Sequence, residues 1–442
     1  MNVEKNEAIK TSLKETKERR KTQTPAVYEM KLQNLTDKDI ETLERLFLEA
    51  KWLRNYVVSD IANRLNKDTW KVKEVEIKVK DKFEKREITH LGSQIKQEIV
   101  NRVGDDLKAL HNSKAKGNKV GTLKFKSEVN SIPLKQYGNT YGLDFKHNRV
   151  HIQTIKKKFR VLGLHQILDD VEFAKGELIR KPSGYYLYVT VYLNERPTTG
   201  RTKKGTAKEK KAEHFNKPLG IDFGIKNELT LSNGIQFQFE VKESKKLKLL
   251  QKKLSKKQGF KKGERKSKNF FKTLNKIRRE YERLFNIRKD IENRIFAFIR
   301  LYERVYTQDD NIKGWHSGLF GKQIQSTSIG RIKARLSNNL ETLVLVDRFL
   351  PTTQTCSHCL HKQRISLSDR VFKCESCGFE IDRDINSARD MVLLGKNSPK
   401  NLPVDCWEVT PPEREASARI LESNPYIRVS YTSVNEEAPS FN

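Results

Sequence analysis

Two short cysteine pairs constrain the fold of this chain more than any other feature of its sequence. The pairs are Cys356-Ser-His-Cys359 and Cys374-Glu-Ser-Cys377, separated by fourteen residues, and the only other cysteine of the 442-residue chain is Cys406. Each C-x2-C knuckle can offer two thiolates from a tight turn, and four thiolates complete the tetrahedral shell of a structural zinc ion. The sequence therefore predicts a zinc module built on these four cysteines, and it excludes a disulfide scaffold.

The chain is also strongly basic, with 88 Lys and Arg residues against 56 Asp and Glu residues, a net charge of +32. Residues 391–442 contain five basic and seven acidic side chains, so residues 1–390 carry +34. A charge of this size requires a polyanionic partner. Nucleic acid is the favoured partner and an anionic membrane surface the weaker alternative. We expect the main contact at 245–276, a basic helical segment, with further contacts at 114–126 and 156–160.

The sequence contains no run of 18 apolar residues, and its first residues are charged throughout. This pattern predicts neither a membrane-spanning helix nor a secretory signal. We therefore expect a cytoplasmic protein.

Hydrophobic periodicity divides the chain into two parts. Strand-like patterns at 25–35 and 120–196 predict a β-barrel, and helical spacing at 36–119 predicts a helical insert between its strands. Mixed helical and strand patterns follow at 218–351 and 381–394, on either side of the cysteine module at 352–380. The remaining segments lack apolar periodicity, and we predict a flexible lead at 1–24, a linker at 197–217 and a disordered tail at 395–442.

Acidic residues mark a second chemical feature. Asp222 interrupts an apolar strand, where a buried carboxylate is costly unless a cation meets it, and the small Gly224 beside it would let a substrate approach. Asp382 and Asp384 lie at the start of a predicted helix, where either can be a simple N-cap. Hydrolysis of a phosphodiester commonly uses several carboxylates around two divalent ions, so these acids together indicate a nuclease-type site.

The same motifs resemble one protein family. Asp222 within LGIDFGIKN, the two C-x2-C knuckles and the segment DRDINSARDM resemble the RuvC-like nuclease core of transposon-encoded TnpB proteins and of their relatives, the miniature type V CRISPR effectors. The similarity extends to YEMKL, KFKS and SGYY, and thus covers about residues 25 to 395. It implies an α+β multidomain chain: a wedge-type β-barrel with an inserted helical recognition domain, then a RuvC-like, ribonuclease-H-like α/β nuclease domain with an inserted zinc ribbon.

The resemblance also implies an activity. Members of the family bind a structured guide RNA and cleave double-stranded target DNA beside a short adjacent motif, using magnesium and a D-E-D triad of acids. Asp222 matches the first acid of this triad, and Asp384 matches the third, with Asp382 as its competitor. We therefore expect an RNA-guided DNA endonuclease with Zn²⁺, Mg²⁺ and guide RNA as cofactors.

The middle acid is where this chain departs from the family pattern. Many relatives read E-D-L-N, whereas this chain reads Gln308-Asp309-Asp310-Asn311. Side chains alternate along a strand, so positions 308 and 310 share a face and position 309 points away. Asp310 is therefore the expected middle acid and a magnesium ligand together with Asp222 and Asp384, and Asp309 is the alternative.

The departure leaves two other functions open. A weakened middle acid motivates an RNA-guided DNA-binding repressor that cleaves poorly or not at all. A guide-independent nuclease such as a junction resolvase shares the nuclease core, but it does not account for the large basic N-terminal half.

Overall fold

The computed structural model describes ten stretches of the chain, and it divides the chain into two units, residues 1–200 and 201–442. The described residues are 2–66, 68–79, 82–168, 170–194, 214–256, 266–318, 321–366, 368–395, 402 and 404–432. Within them, no helix has the length and apolar character needed to cross a membrane.

The first unit is a curved antiparallel sheet with helices inserted after its first strand. Its elements in chain order are α1 (Asn2–Thr22), β1 (Thr24–Gln33), α2 (Asp37–Ser59), α3 (Ile61–Arg64), β2 (Glu74–Val79), β3 (Lys82–Glu87), α4 (Ser93–Ala115), β4 (Ser131–Leu134), β5 (Tyr141–Asp144), β6 (Arg149–Ile152), β7 (Phe159–Leu162), β8 (Glu172–Lys181) and β9 (Gly184–Leu193).

The seven-stranded sheet has the order β4-β8-β9-β1-β7-β6-β5. Along β9 every second side chain is buried, which is the alternation that predicts a strand with one core face. Tyr141 of the edge strand β5 crosses the interior to β8, where its hydroxyl donates to the carbonyl of Ala174 (2.8 Å). Gly176 of β8 makes room for this ring, because a Cβ there would lie 3.1 Å from it. The two ends of the sheet thus approach each other, and the sheet is nearly closed into a barrel.

The insert between β1 and β4 contains both helices and strands. Helix α2 begins with a capping box, in which Thr36 and Asp39 satisfy each other's backbone N–H groups. The prediction that the insert at 36–119 is helical is wrong for the β2–β3 hairpin, which is a pair of antiparallel strands. In β2 the β-branched residues Val75, Ile77 and Val79 alternate with charged residues, and this period of two favours a strand.

The prediction of a flexible lead at 1–24 is also wrong, because most of that segment forms α1. The helix lacks an apolar face, which is why the hydrophobic pattern did not reveal it. Its last turn is joined to β8 by ion pairs from Arg19 (2.9 Å) and Arg20 (2.7 Å) to the carboxylate of Glu172. Charged, straight-chain residues of this kind have high helix propensity.

The second unit is a mixed sheet covered by helices. Its elements are β10 (Phe215–Phe223), β11 (Leu229–Leu231), β12 (Ile235–Gln238), α5 (Lys245–Lys256), α6 (Lys268–Ile299), β13 (Tyr302–Gln308), α7 (Ile312–Ser317), α8 (Gly321–Thr327), α9 (Ile329–Asn339), β14 (Leu343–Val346), β15 (Val371–Lys373), β16 (Glu380–Asp382), α10 (Arg383–Leu394), α11 (Pro411–Ser417) and β17 (Arg428–Tyr431).

The main sheet of this unit has the order β14-β13-β10-β11-β12-β17. Strands β10, β13 and β14 are parallel, whereas β11, β12 and β17 continue the sheet in antiparallel fashion. Helix α10 packs directly on β10 at Gly220, because a Cβ there would lie 1.8 Å from the carbonyl oxygen of Ala388. This close packing fixes the start of α10 over the end of β10.

The prediction of a disordered tail at 395–442 is wrong for residues 404–432. Strand β17 pairs with β12 and extends the main sheet. The carboxylate of Glu413, which is fully buried, accepts hydrogen bonds from Asn233 (3.0 Å) and Tyr302 (2.6 Å). It also forms an ion pair with Lys217 (2.8 Å). Buried polar groups hold this segment in place. Because such groups produce no apolar periodicity in the sequence, the segment was predicted to be disordered.

The predicted linker at 197–217 lies mainly outside the described residues. Its last three residues, 215–217, differ from the prediction because they begin β10. Burial of Phe215 and Lys217 against the rest of the second unit explains the difference.

Candidate active site

The carboxyl ends of the parallel strands bring two of the predicted acids to one edge of the sheet. Asp222 is the penultimate residue of β10, and Asp310 follows the end of β13 by two residues. The register of the two strands pairs Ile221 with Thr307, so Asp222 and the Gln308–Asp310 segment leave the sheet side by side. Open sheets of this kind characteristically bind ligands at the carboxyl ends of their parallel strands.

Asp384 reaches the same edge from above, in the first turn of α10. The competing residue, Asp382, is the N-cap of this helix, and its carboxylate accepts from the backbone N–H groups of Asp384 (3.0 Å) and Ile385 (3.2 Å). Because Asp382 caps the helix, the side chain of Asp384 is not needed for that purpose. Two arginines lie beside it instead, Arg383 at 3.3 Å and Arg370 at 3.8 Å.

Asp310 and Asp384 both lie close enough to Asp222 to affect the ionisation of Asp222. Burial raises the pKa of Asp222 well above its usual range, and repulsion from Asp384 and then from Asp310 raises it further. Arg383 has the opposite and smaller effect. A set of like charges brought together in this way requires either protonation or a cation.

Asp310 and Asp309 have different surroundings. The carboxylate of Asp310 is 21% exposed and lies 3.3 Å from the ammonium group of Lys333, which is itself buried. Burial raises the pKa of Asp310, and Lys333 partly offsets that effect. Asp309 is exposed and pairs with Arg348 (2.9 Å) on the outer surface. The two neighbours thus point in different directions. The expectation that positions 308 and 310 share a face is wrong, because β13 ends at Gln308 and strand alternation does not continue through the residues that follow.

Gln308 does not share the environment of Asp310. Its side-chain amide lies within 3.0–3.2 Å of the carbonyl oxygens of Asp347, Arg348 and Leu350. The side chain therefore braces the turn that follows β14. Sequence analysis identified neither this role nor the roles of Lys333 and Arg370, because none of these residues belongs to a recognisable motif.

Gly224 has a local structural role. A Cβ at this position would lie 2.6 Å from the backbone oxygen of Asn227. The small residue therefore accommodates a tight turn of its own chain, and its expected role in substrate approach stays a prediction.

The donor set of the acid cluster fits a magnesium site. Carboxylate oxygens are the ligands that Mg²⁺ favours, and the cluster concentrates negative charge. Among the described residues, only the four cysteines form a group of potential metal ligands whose atoms all lie within 4.8 Å of one another.

The four predicted zinc ligands come together in the module that carries β15 and β16. The sulfur of Cys356 lies 3.8 Å from that of Cys377, and the sulfur of Cys359 lies 3.6 Å from that of Cys374. A tetrahedral ion with Zn–S bonds near 2.3 Å needs sulfur atoms about 3.8 Å apart, so the geometry fits. Gly378 has a positive φ of 72°, as the turn after the second knuckle requires.

The cysteine module is joined to the helix that carries Asp384. The side chain of Asn386 accepts from the backbone N–H of Ser357 (2.9 Å) and donates to the carbonyl of Thr355 (2.6 Å). The first knuckle and the first turns of α10 therefore hold each other in place.

The predicted basic hairpin corresponds to α5 and the start of α6, and the residues between them, 257–265, lie outside the described part of the chain. Leu247, Ile277 and Leu284 face the core. The lysines of α5 are predominantly exposed. The helices thus present a basic outer surface over an apolar packing face.

Two family models match parts of the second half of the chain. Residues 329–391, which include Asp384 and the four cysteines, match a model described as "Cas12f1-like, TNB domain". Residues 192–304, which include Asp222, match a model described as OrfB_IS605, "Probable transposase".

Curated relatives and a solved structure give further matches. A "Putative RNA-guided DNA endonuclease" of Streptomyces pristinaespiralis is 25% identical over 209 residues, 45% of this chain and 49% of the relative. The "Putative RNA-guided DNA endonuclease InsQ" of Escherichia coli is 24% identical over 204 residues, 40% of this chain and 48% of the relative. The chain thus aligns with about half the length of each relative. A chain from a cryo-EM structure of a Cas12f1–sgRNA–target DNA complex has 14% identity and a TM-score of 0.45, covering 86% of this chain and all of that chain.

Proposed function

We propose that this chain, a TnpB-family protein by the matches above, is an RNA-guided DNA endonuclease that cleaves its target beside a short adjacent motif. One observation carries the proposal: Asp222, Asp310 and Asp384 come from segments far apart in sequence, yet they meet where the ends of β10 and β13 lie side by side and α10 packs on β10. Carboxylates gathered in this way are typical of enzymes that hydrolyse phosphodiesters.

The second unit would be the nuclease domain. A sheet in which three parallel strands are continued by an antiparallel meander, with a helix across the first strand, supports a ribonuclease-H-like arrangement. The nearly closed sheet of the first unit would be the wedge barrel, and the α2–α4 insert would be the recognition domain. The cysteine module would be a zinc ribbon that supports α10 through Asn386.

The three aspartates would hold magnesium at the sheet edge. Bound divalent cations would supply activation of water and stabilisation of the leaving oxygen. Asp382 would fix the helix start, so that the carboxylate of Asp384 is not used as the helix cap. Lys333 would hold Asp310 and the carbonyl of Gln308 in place before metal binds.

The proposed partners are a structured guide RNA and double-stranded DNA. The names of the two curated relatives describe RNA-guided action on DNA. The net charge of +32 provides the electrostatic basis for binding two nucleic acids. In this mode the protein holds the heteroduplex by its phosphates, and base pairing reads the sequence. We propose the prokaryotic cytosol as its place of action.

An RNA-guided repressor with weak or absent cleavage is the second candidate. The first observation in its favour is Gln308. Many relatives have a glutamate at this position, whereas here the side chain is an amide that braces the turn after β14. The repressor is also favoured by Lys333, whose ammonium group already neutralises part of the charge of Asp310.

A plasmid-cleavage assay tests the proposal. The protein would be purified with RNA co-expressed from its own genomic flank and incubated with a plasmid carrying a matched target. We expect linear product only with guide, target and Mg²⁺, and no product from Asp222→Ala, which should still bind RNA. Binding without cutting by the wild type would support the repressor, and cutting without guide would support a junction-resolvase-like enzyme.

A matched pair of variants in the same assay tests the middle acid. Asp310→Ala should abolish cutting, whereas Asp309→Ala, on the outer surface, should retain most of it. The reverse result would assign the role to Asp309.

A further inference from the structure

One exposed aromatic side chain lies at the same sheet edge as the acid cluster. Phe349 is 86% exposed, the largest exposed fraction among the large hydrophobic residues of the described chain. It lies in the turn 347–350, directly after β14. Single exposed hydrophobic residues are common on proteins, so exposure alone assigns no role to this ring. The backbone that supports the ring and the position of the ring beside the acids do indicate a role.

The turn that carries Phe349 is held firmly from below. The amide of Gln308 contacts three of its carbonyl groups at 3.0–3.2 Å. A side-chain oxygen of Asp347 accepts from the backbone N–H of Phe349 (2.8 Å), and the N–H of Leu350 donates to the carbonyl of Asp347 (3.1 Å). The ring is therefore presented on a braced backbone, so little backbone entropy remains to be lost when a ligand binds.

The position of the turn connects it to the acids. Strands β13 and β14 are parallel and pair Gln308 with Val346, so the turn leaves the sheet beside the segment that carries Asp310. Arg348, next to Phe349, pairs with Asp309 (2.9 Å) and is half-exposed. A flat apolar ring and a guanidinium group thus lie together next to the acid cluster.

We propose that Phe349 is a base-stacking platform for single-stranded DNA at the acid cluster, with Arg348 as the neighbouring phosphate contact. Every base has a π-face, so such a platform binds without sequence preference. A guanidinium group complements the phosphate that follows a stacked base. The inference rests on the proposed function and adds a binding residue to the same site.

Photocrosslinking tests the contact directly. The Asp222→Ala protein would be irradiated with a single-stranded DNA containing 5-iododeoxyuridine, and the adducts located by mass spectrometry. We expect an adduct on Phe349, lost in Phe349→Leu. Adducts only at other residues, or adducts at Phe349 with an equivalent RNA but not with DNA, would overturn the proposal.

An affinity series in the same Asp222→Ala background separates stacking from apolar burial. Phe349→Ala and Phe349→Leu should each weaken binding of the DNA oligonucleotide by roughly tenfold, because the stacking of a base on the aromatic ring is lost. Phe349→Trp should bind as well as the parent. Tyr426→Ala, an exposed aromatic of the same unit, is the matched control and should be unaffected. Equal affinities for Phe349→Leu and the parent would contradict a stacking role.

The outcome is separable from that of the proposed function. Guide-directed cleavage by protein with an intact Asp222 tests the endonuclease, whereas the crosslink and affinity measurements do not require cleavage. A Phe349 adduct without guide-directed cutting would refute the endonuclease and leave the platform standing. Cutting with no DNA contact at Phe349 would refute the platform alone.

Discussion

The ammonium group of Lys333 lies 3.3 Å from a carboxylate oxygen of Asp310 and 2.6 Å from the carbonyl oxygen of Gln308. It also lies 3.1 Å from the backbone oxygen of Asp310. One buried cation therefore joins Gln308, the last residue of β13, to Asp310, two residues later. Burial lowers the pKa of Lys333, and Asp310 has the opposite effect. The pair forms a local unit in which each charge compensates the burial of the other.

A double-mutant cycle should reveal this coupling. Lys333→Met leaves Asp310 partly buried without its cation, and we expect a loss of about 1–3 kcal/mol in the free energy of unfolding. In the Asp310→Asn background the same change should cost less, because the uncompensated charge is gone. Urea denaturation of the four proteins measures the difference. Equal costs in both backgrounds would show that the two side chains are not coupled.

Metal content tests the cysteine module. We expect about one zinc ion per chain in the wild type, and loss of most of it in Cys374→Ser, because a tetrahedral thiolate site requires all four ligands. Cys406→Ser is the control, since Cys406 is buried but lies outside the cluster. Elemental analysis of the purified proteins gives the answer. Full zinc occupancy in Cys374→Ser would contradict the assigned ligand set.

The sequence revealed the parts of the site that carry recognisable patterns. Asp222 interrupts an apolar strand, the cysteine spacing is specific, and Asp384 belongs to a helix start with a distinctive motif. Strand alternation did not predict the surroundings of Asp309 and Asp310, because β13 ends at Gln308 and the two acids follow it outside the strand. The zinc ligands and Asp222 needed only local periodicity and motif chemistry, whereas the preference for Asp384 over Asp382 and the search for a middle acid at 308–311 came from the family resemblance.

Other parts of the site depend on contacts between distant segments. Lys333 reaches Asp310 from a helix 23 residues later, and Gln308 braces a turn about 40 residues away. Neither position differs in type from many other polar residues of the chain. The ordered C-terminal segment is held by the buried Glu413, whose partners Asn233 and Tyr302 lie far from it in sequence. Hydrophobic periodicity cannot reveal an element that polar groups anchor.

Removing the anchor of the C-terminal segment should destabilise the second unit. Glu413→Ala leaves Lys217 buried without its ion-pair partner, and we expect a loss of about 3–5 kcal/mol in the free energy of unfolding. Glu415→Ala, on the exposed side of the same helix, should change stability by less than about 0.5 kcal/mol. Thermal and urea denaturation provide the comparison. A similar small effect for both variants would show that the segment does not depend on Glu413.

A buried acid in α10 should make stability depend on pH. Burial raises the pKa of Asp390 to about 8, and a hydrogen bond from Asn386 only partly offsets this. An unfolded aspartate ionises near pH 4, so the folded state loses stability relative to the unfolded state as the pH rises from about 4 to about 8.

Asp390→Asn removes the titrating carboxyl group. The free energy of unfolding of this variant, relative to that of the wild type, should therefore increase as the pH rises. The expected slope is up to about 1.4 kcal/mol per pH unit. Urea denaturation of both proteins at pH 6, 7 and 8 measures the difference, from which contributions common to both proteins cancel. A constant difference across this range would contradict the raised pKa.

The most direct test of the central claim is the position of divalent cations bound to the protein. Crystals grown with Mn²⁺ would be measured for anomalous scattering. We expect two peaks about 4 Å apart, both bonded to Asp222, with Asp310 and Asp384 each bonded to at least one of them. Peaks bonded to Asp309 or Asp382 instead, or no peak within bonding distance of Asp222, would contradict the account.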